Sequence, residues 1–510
     1  MDLDTLHTAP QLQAEDNLQF YLDKQALELT PDGKFIRWST KNHRHPRHWS
    51  TSKKVYNSLL IVWLDFFTTA ISTAGSAVAN GAQKEYGVAK ALSVFLFVSV
   101  YLLGQSVGGV VFPPYSEVFG RKWLYIGCSG LYTIFCALVA AVPSLAAVVV
   151  SRFVCGLLSA IPTVVVLGSM EDMFNAKDRV WTIYFWSTAG SMGLVMGPIM
   201  SSYITVALGW RWTFYTGAIV LGVTTGLMFT LSESRPSVLL AQEVSRLGRL
   251  TGIENLRSLN PDHTPDLRNF AHVALFRPLY LFFTEPIVSV TSVISAVSSA
   301  LVYLFTEALS PIYESFGFST QSASLPFIAI GIGLLASGFT RILETRIITK
   351  HQRQGHPITP EHKLLGLCIG APVLAVGLWL FAWTIPPHNQ TIHWIVPTIA
   401  LAVIGYAVNE LDTSLSGYLA DSYLTYASSG YAALSLLRSL MSAVFPLFAV
   451  QMFKGLEANM AVSVLAAVAT VFCVVPPLFT RHGSRIRARS KFARYSLQVY
   501  RDNAVDADGL

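Results

Sequence analysis

Apolar residues in this chain fall into long, continuous blocks separated by short polar stretches. Twelve blocks are long enough to cross a bilayer, a task that takes about 20 apolar residues per helix. They run over about 55–79, 91–112, 123–142, 145–168, 181–206 and 213–231. The second set covers about 283–308, 321–343, 364–383, 393–420, 427–452 and 457–479. Lipid offers the backbone no hydrogen-bond partner, so only helices and closed barrels span it. Barrel strands are short segments of alternating character, and these blocks are neither. The pattern predicts an all-α polytopic membrane protein with twelve transmembrane helices in two six-helix halves. The layout is a polar tail (1–54), a first half (55–231), a central loop (232–282), a second half (283–479) and a C-terminal tail (480–510). Repeated halves of this kind are common in transporter folds.

Composition agrees with the pattern. The chain is 52% hydrophobic and 13% charged, with mean hydropathy +0.47. Soluble domains carry about 25% charged residues. The five cysteines, Cys128, Cys136, Cys155, Cys368 and Cys473, lie inside apolar blocks. Their number is odd and no pair has zinc-ligand spacing, so they are expected to be small buried hydrophobes. The first 54 residues hold no short apolar core with a cleavage site, so a signal peptide is not expected.

Charge gives orientation. With the N-terminus in the cytoplasm, Lys84, Lys90, Arg211 and Lys454 fall outside, and Arg152 and Arg438 fall within spans. The rest of the 36 Lys and Arg lie on the cytoplasmic side, as the positive-inside rule requires. Both termini are expected to be cytoplasmic. The run Arg481, Arg485, Arg487, Arg489 and Lys491 is expected to anchor the topology near anionic lipid. Residues 237–250 repeat at helical spacing and predict a short interfacial helix in the central loop. Asn389-Gln390-Thr391 is a glycosylation sequon on the expected outer side.

The chain carries no G-x-x-x-x-G-K-[ST] phosphate loop, no H-E-x-x-H and no G-x-S-x-G. ATP-driven transport, zinc protease and serine hydrolase chemistry are therefore not signalled. No TVGYG-like filter supports a channel. No metal, cofactor or nucleic-acid partner is expected.

Polar groups within the spans are the candidate site, because charge at mid-bilayer is costly and turns toward the bundle interior. Asp65, Thr69, Ser72 and Ser76 share one helical face by their spacing. They line a cavity, with Asp65 as a solute or proton site, or they join helices. Arg152 in the fourth block is followed by Gly156 and Ala160 at helical spacing; it works inside the bundle or snorkels outward. In the seventh block Ser292, Ser295, Ser299, Tyr303 and Thr306 share a face, with Glu307 adjacent near the outer mouth. Glu410 and Asp412 are two residues apart and point apart, so one is expected to face the cavity. Buried carboxylates suit reversible proton binding.

Several stretches resemble the major facilitator superfamily, most of all the fungal twelve-span drug:proton antiporters. PPYSEVFGRK (113–122) is similar to the signature between the second and third helices, with Glu117, Gly120, Arg121 and Lys122 in its acidic, turn and basic places. GLVMGPIMSS (193–202) is similar to the antiporter signature through Gly193, Gly197 and Pro198, with Ser201 and Ser202 where glycines are usual. Arg152 with Gly156 resembles the family's fourth-helix pair, tied there to proton coupling. GWRWTFY (209–215), EPIV (285–288) and RHGSRIRARSKF (481–492) add to the likeness, which covers about residues 45–492.

The resemblance implies a monomeric plasma-membrane exporter that couples protons to a small, largely apolar compound. A second reading is a proton-coupled uptake symporter, and a third is a non-transporting sensor or scaffold.

Overall fold

The computed structural model describes residues 19–30, 34–39, 42–251, 253, 256–259, 276, 278–354, 359–386, 392–424 and 427–502. The chain is built from long helices. In the first half these are α1 (Thr51–Tyr86), α2 (Lys90–Phe119), α3 (Lys122–Ala141), α4 (Leu145–Met173), α5 (Asp178–Leu208) and α6 (Arg211–Met228). A surface helix, α7 (Pro236–Thr251), follows. The second half holds α8 (Pro286–Glu314), α9 (Ser322–Arg353), α10 (Pro360–Thr384), α11 (Ile395–Tyr423), α12 (Ala427–Gly455) and α13 (Ala458–Arg489). A last helix, α14, covers Lys491–Asp502. Each apolar block read from the sequence coincides with one of these helices.

Among the described residues, eleven helices are long and apolar enough to cross a membrane. The exception among the expected spans is α6. It has 18 residues, opens on Arg211, and carries four threonines, three of which (Thr216, Thr224 and Thr225) donate their hydroxyls to its own backbone carbonyls. It packs beside α3 and α1 all the same.

The two halves repeat one packing scheme. In the first, α1 pairs with α5, α2 with α4, and α3 with α6. In the second, α8 pairs with α12, α9 with α11, and α10 with α13. Between halves, α2 meets α12 and α5 meets α9, a pair of contacts that exchange when the halves are swapped. Large apolar side chains stay exposed on the outer surface, among them Val223, Phe339 and Val471; a bilayer would cover them.

Two helices widen by a π-type turn, α2 at Phe95–Ser99 and α4 at Ile161–Val165. Pro162 explains the second, since it lacks an N–H for the regular ladder.

We call the side where α1 begins the near face and the other the far face. On the near face the N-terminal segment forms a small cap. Strands β1 (Leu27–Leu29) and β2 (Ile36–Trp38) pair antiparallel. Leu22, Leu27, Ile36 and Trp38 bury against Leu240, Val244 and Leu247 of α7. Trp38 Nε1 donates to the Pro236 carbonyl at 3.2 Å. The helical spacing of 237–250 thus serves a protein partner on this side.

Candidate functional site

A cavity lies between the halves, lined from α1, α2, α4 and α5 on one side and α8, α11 and α12 on the other. Three charged side chains share it: Asp65, Asp412 and Arg438. Asp412 and Arg438 form an ion pair at 3.3 Å. The other Asp412 oxygen accepts a hydrogen bond from Ser187 at 2.7 Å, which crosses between halves. Asp65 accepts a hydrogen bond from Thr163 at 2.8 Å, and Thr163 sits in the widened turn of α4. Such turns often mark working sites. Among the described residues no cation lies within ion-pair distance of Asp65. With all three groups ionised the cluster carries one net negative charge, and one added proton cancels it.

The rest of the lining suits a mostly apolar guest. Trp186, Leu102, Val302 and Tyr303 supply apolar wall. Ser298 and Ser442 line the cavity with hydroxyls that bond to no protein atom among the described residues. The space open to water-sized molecules is about 60 Å³, room for a few waters and too little for a drug-sized guest. The cavity is therefore drawn in on itself.

Both ends are tied shut. Toward the far face, Ser72 and Tyr303 share a hydrogen bond at 2.7 Å, and Ser76 donates to Glu307 at 2.5 Å. Ser99 donates to the Ala443 carbonyl at 2.7 Å. Toward the near face, Arg179 of α5 pairs with Asp421 of α11 at 3.0 Å.

The sequence candidates divide on this geometry. Asp65, Thr69, Ser299, Tyr303 and Asp412 line the cavity. Ser72, Ser76 and Glu307 form the far-side seam just described. Ser292 and Ser295 are buried outside the lining, and their place is taken by Ser298 and Ser299, one helical step onward. Glu410 turns away from Asp412 and binds Arg341 of α9, which also binds Glu344. Arg152 does not line the cavity. It is fully buried and donates to the Phe97 carbonyl at 2.9 Å and the Ile71 carbonyl at 3.3 Å. It lies 4.6 Å from the Tyr101 ring centre, a cation–π contact. Arg152 thus fastens α4 to α1 and α2, and it does not snorkel.

The two signature stretches hold helices. Gly120 has φ +93°, a left-handed turn that favours glycine. The turn aims the Arg121 and Lys122 backbone N–H groups at the Glu233 carboxylate, 3.0–3.1 Å away. Arg121 pairs with Asp172 at 2.9 Å, and Arg235 reaches the same carboxylate at 3.4 Å. Glu117 is buried at the end of α2, and its carbonyl accepts from Arg235 at 3.1 Å. Gly193 and Gly197 lie flat on α1: a Cβ at Gly193 would stand 2.6 Å from Thr69 Oγ1, and one at Gly197 would overlap Thr73 and Ala70. Pro198 lies inside α5. Asn389 lies outside the described residues.

Sequence reading missed Arg438, Ser187 and Thr163. The signal for Arg438 was present, since a lone arginine inside an apolar block asks for a buried partner.

A family model described as Major Facilitator Superfamily matches residues 59–446. The chain belongs to the major facilitator superfamily. It is therefore a multi-pass membrane transporter of small molecules and not an enzyme. Among similar major facilitator proteins is "Multidrug transporter TPO1_2" of Candida glabrata, 31% identical over 93% of this chain and 81% of that protein. Another is "Efflux pump radE" of Floropilus chiversii, 31% identical over 92% of this chain and 88% of that protein. The human organic anion transporter MFSD10 (TETRAN) shares the fold, with TM-score 0.60 and 14% identity over 84% of this chain and all of that one.

Proposed function

We propose that this transporter exports small, largely apolar organic compounds in exchange for protons. One observation carries the reading: Asp65 is buried in the inter-half cavity with no cation at ion-pair distance among the described residues, beside an Asp412 that already has one. Asp65 is the natural seat for the transported proton. Protonation makes the cluster neutral, and a neutral cluster costs less to carry through a low-dielectric core. Cargo entering the cavity competes with that proton. The names of the relatives, a multidrug transporter and an efflux pump, support export.

In this reading α6 is the sixth of twelve spans, and the near face is cytoplasmic because it gathers the basic residues. Both termini then lie in the cytoplasm, and the protein works as a monomer in the plasma membrane.

The test is retention of a panel of fluorescent apolar compounds in cells with and without the chain. Cells carrying it should retain less of at least one compound, and a protonophore or Asp65→Asn should abolish the difference. Raised, protonophore-sensitive accumulation would instead mean uptake and would end the export reading.

A further inference from the structure

A line of alternating charge crosses the near face. Arg47 of the N-terminal cap binds Glu171 of α4 at 2.6 Å. The same Glu171 oxygen lies 4.0 Å from Arg179 of α5. Arg179 binds Asp421 of α11 at 3.0 Å, and Lys363 at the start of α10 binds the other Asp421 oxygen at 2.5 Å. All five side chains are buried, none more than 9% exposed. The Arg179–Asp421 step joins the halves, and opening the near face must break it.

We propose that Arg47, which lies in neither half, is a positioning residue for that gate. Its effect comes from competition. Once Asp421 has moved away, Glu171 is, among the described residues, the carboxylate left within 4.0 Å of Arg179, besides a 3.5 Å bond to the Phe174 carbonyl. Arg47 already occupies Glu171, and at the closer distance. A carboxylate satisfied by one guanidinium attracts a second less strongly. Arg47 therefore directs Arg179 toward Asp421 and favours the closed near face.

The cap is built to hold Arg47 still. Pro46 opens a short 3-10 turn over Pro46–His48. His45 Nδ1 accepts the Arg47 N–H at 3.2 Å. Lys54 donates to the Arg47 carbonyl at 2.6 Å. Behind it Arg44 pairs with Glu243 of α7, which ties the turn to the central loop. Tail and loop thus hold one guanidinium beside the gate.

Competition predicts opposite signs for the two partners, which loss of local structure does not. Arg47→Gln frees Glu171 for Arg179 and should loosen the gate. Glu171→Gln removes the competitor for Arg179 and should tighten it. A cysteine at Gly417, which lines the small pocket beside Arg179 and Asp421, reports the opening. The experiment is the labelling rate of Gly417→Cys by a water-soluble maleimide, with the full chain in nanodiscs and the same protein without that substitution as the blank. Coupling within one charge network is worth a factor of about ten. Arg47→Gln should speed labelling about tenfold, Glu171→Gln should slow it by a similar factor, and Arg47→Lys should stay near the parent. An unchanged rate in Arg47→Gln, or both variants moving the same way, overturns the proposal. Should Arg47→Gln not fold, faster or unchanged labelling in Glu171→Gln overturns it alone. The readout uses neither cargo nor a proton gradient, so its failure is distinct from failure of the export reading.

Discussion

Ser187 of the first half donates its hydroxyl to Asp412 of the second half at 2.7 Å. The bond crosses the cavity at the level of the three charged groups. Rearranging the halves must break it, so the state of Asp412 bears directly on their separation. Arg438 holds Asp412 from its own half, which leaves Asp65 as the acid open to change.

Asp65→Asn should abolish proton-driven transport while leaving exchange of cargo across a membrane without a pH gradient. The amide keeps the shape and accepts the Thr163 bond, but it takes up no proton. Paired flux measurements in proteoliposomes, with and without an imposed gradient, check this. A loss of at least about tenfold in the driven flux corresponds to 1.4 kcal/mol of lost coupling. Retained gradient dependence would move the proton site elsewhere.

Arg438→Gln should destabilise the protein strongly, because it leaves the largely buried Asp412 carboxylate without its counter-charge. Breaking one partner of a buried pair costs about 3–5 kcal/mol. Adding Asp412→Asn should restore much of the loss. Thermal unfolding of the two single variants and the double variant forms the cycle that measures the pair.

Glu410→Gln should lower thermal stability yet leave the pH dependence of transport unchanged. Glu410 binds Arg341 away from the cavity, and Glu344 remains to hold the arginine. A changed pH profile would return Glu410 to the proton pathway.

Gly197→Val should destabilise the first half. Its side chain would meet Thr73 and the Ala70 carbonyl of α1, where the backbone cannot yield. Overpacking of this kind costs about 1–3 kcal/mol. Gly209→Ala makes a poor control because of its positive φ. Gly226→Ala, which meets no atom within 4 Å, is the suitable one, and unfolding temperatures compare the two.

Acid should loosen the near-face cap. Burial pushes His45 from 6.5 down to about 3, with help from Arg47, His48 and Lys54. The folded cap therefore prefers neutral His45. Its contribution is complete above about pH 6.5 and is lost as the pH falls from there toward 3. Amide protection factors in β1, β2 and α7, each corrected for the intrinsic exchange rate at its pH, should fall between pH 7.5 and pH 5, and His45→Gln should flatten that dependence.

Much of the fold was legible because an apolar block of bilayer length has few other uses. The faces of α1 and α8 were also legible from spacing. Periodicity tells which residues share a face, but not how deep each sits or what stands opposite. That is why Ser292 and Ser295 were grouped with Ser299 although the lining begins at Ser298. Spacing sends Glu410 and Asp412 to different sides of α11, but their destinations depend on Arg341 and Arg438, which lie on other helices. The cap was invisible for a related reason: a three-residue strand has too little pattern to announce itself, and its apolar partner lies some 200 residues away, as with Trp38 and Pro236.

The modest apolar content of α6 bears on how the protein is made. A segment opening on Arg211 and rich in threonine has weak reason to leave the translocation channel for lipid by itself. Its main neighbours, α1 and α3, emerge from the ribosome earlier. Synthesis order therefore presents α6 with a waiting surface, and a chain engineered to deliver it before α3 should stall at that step.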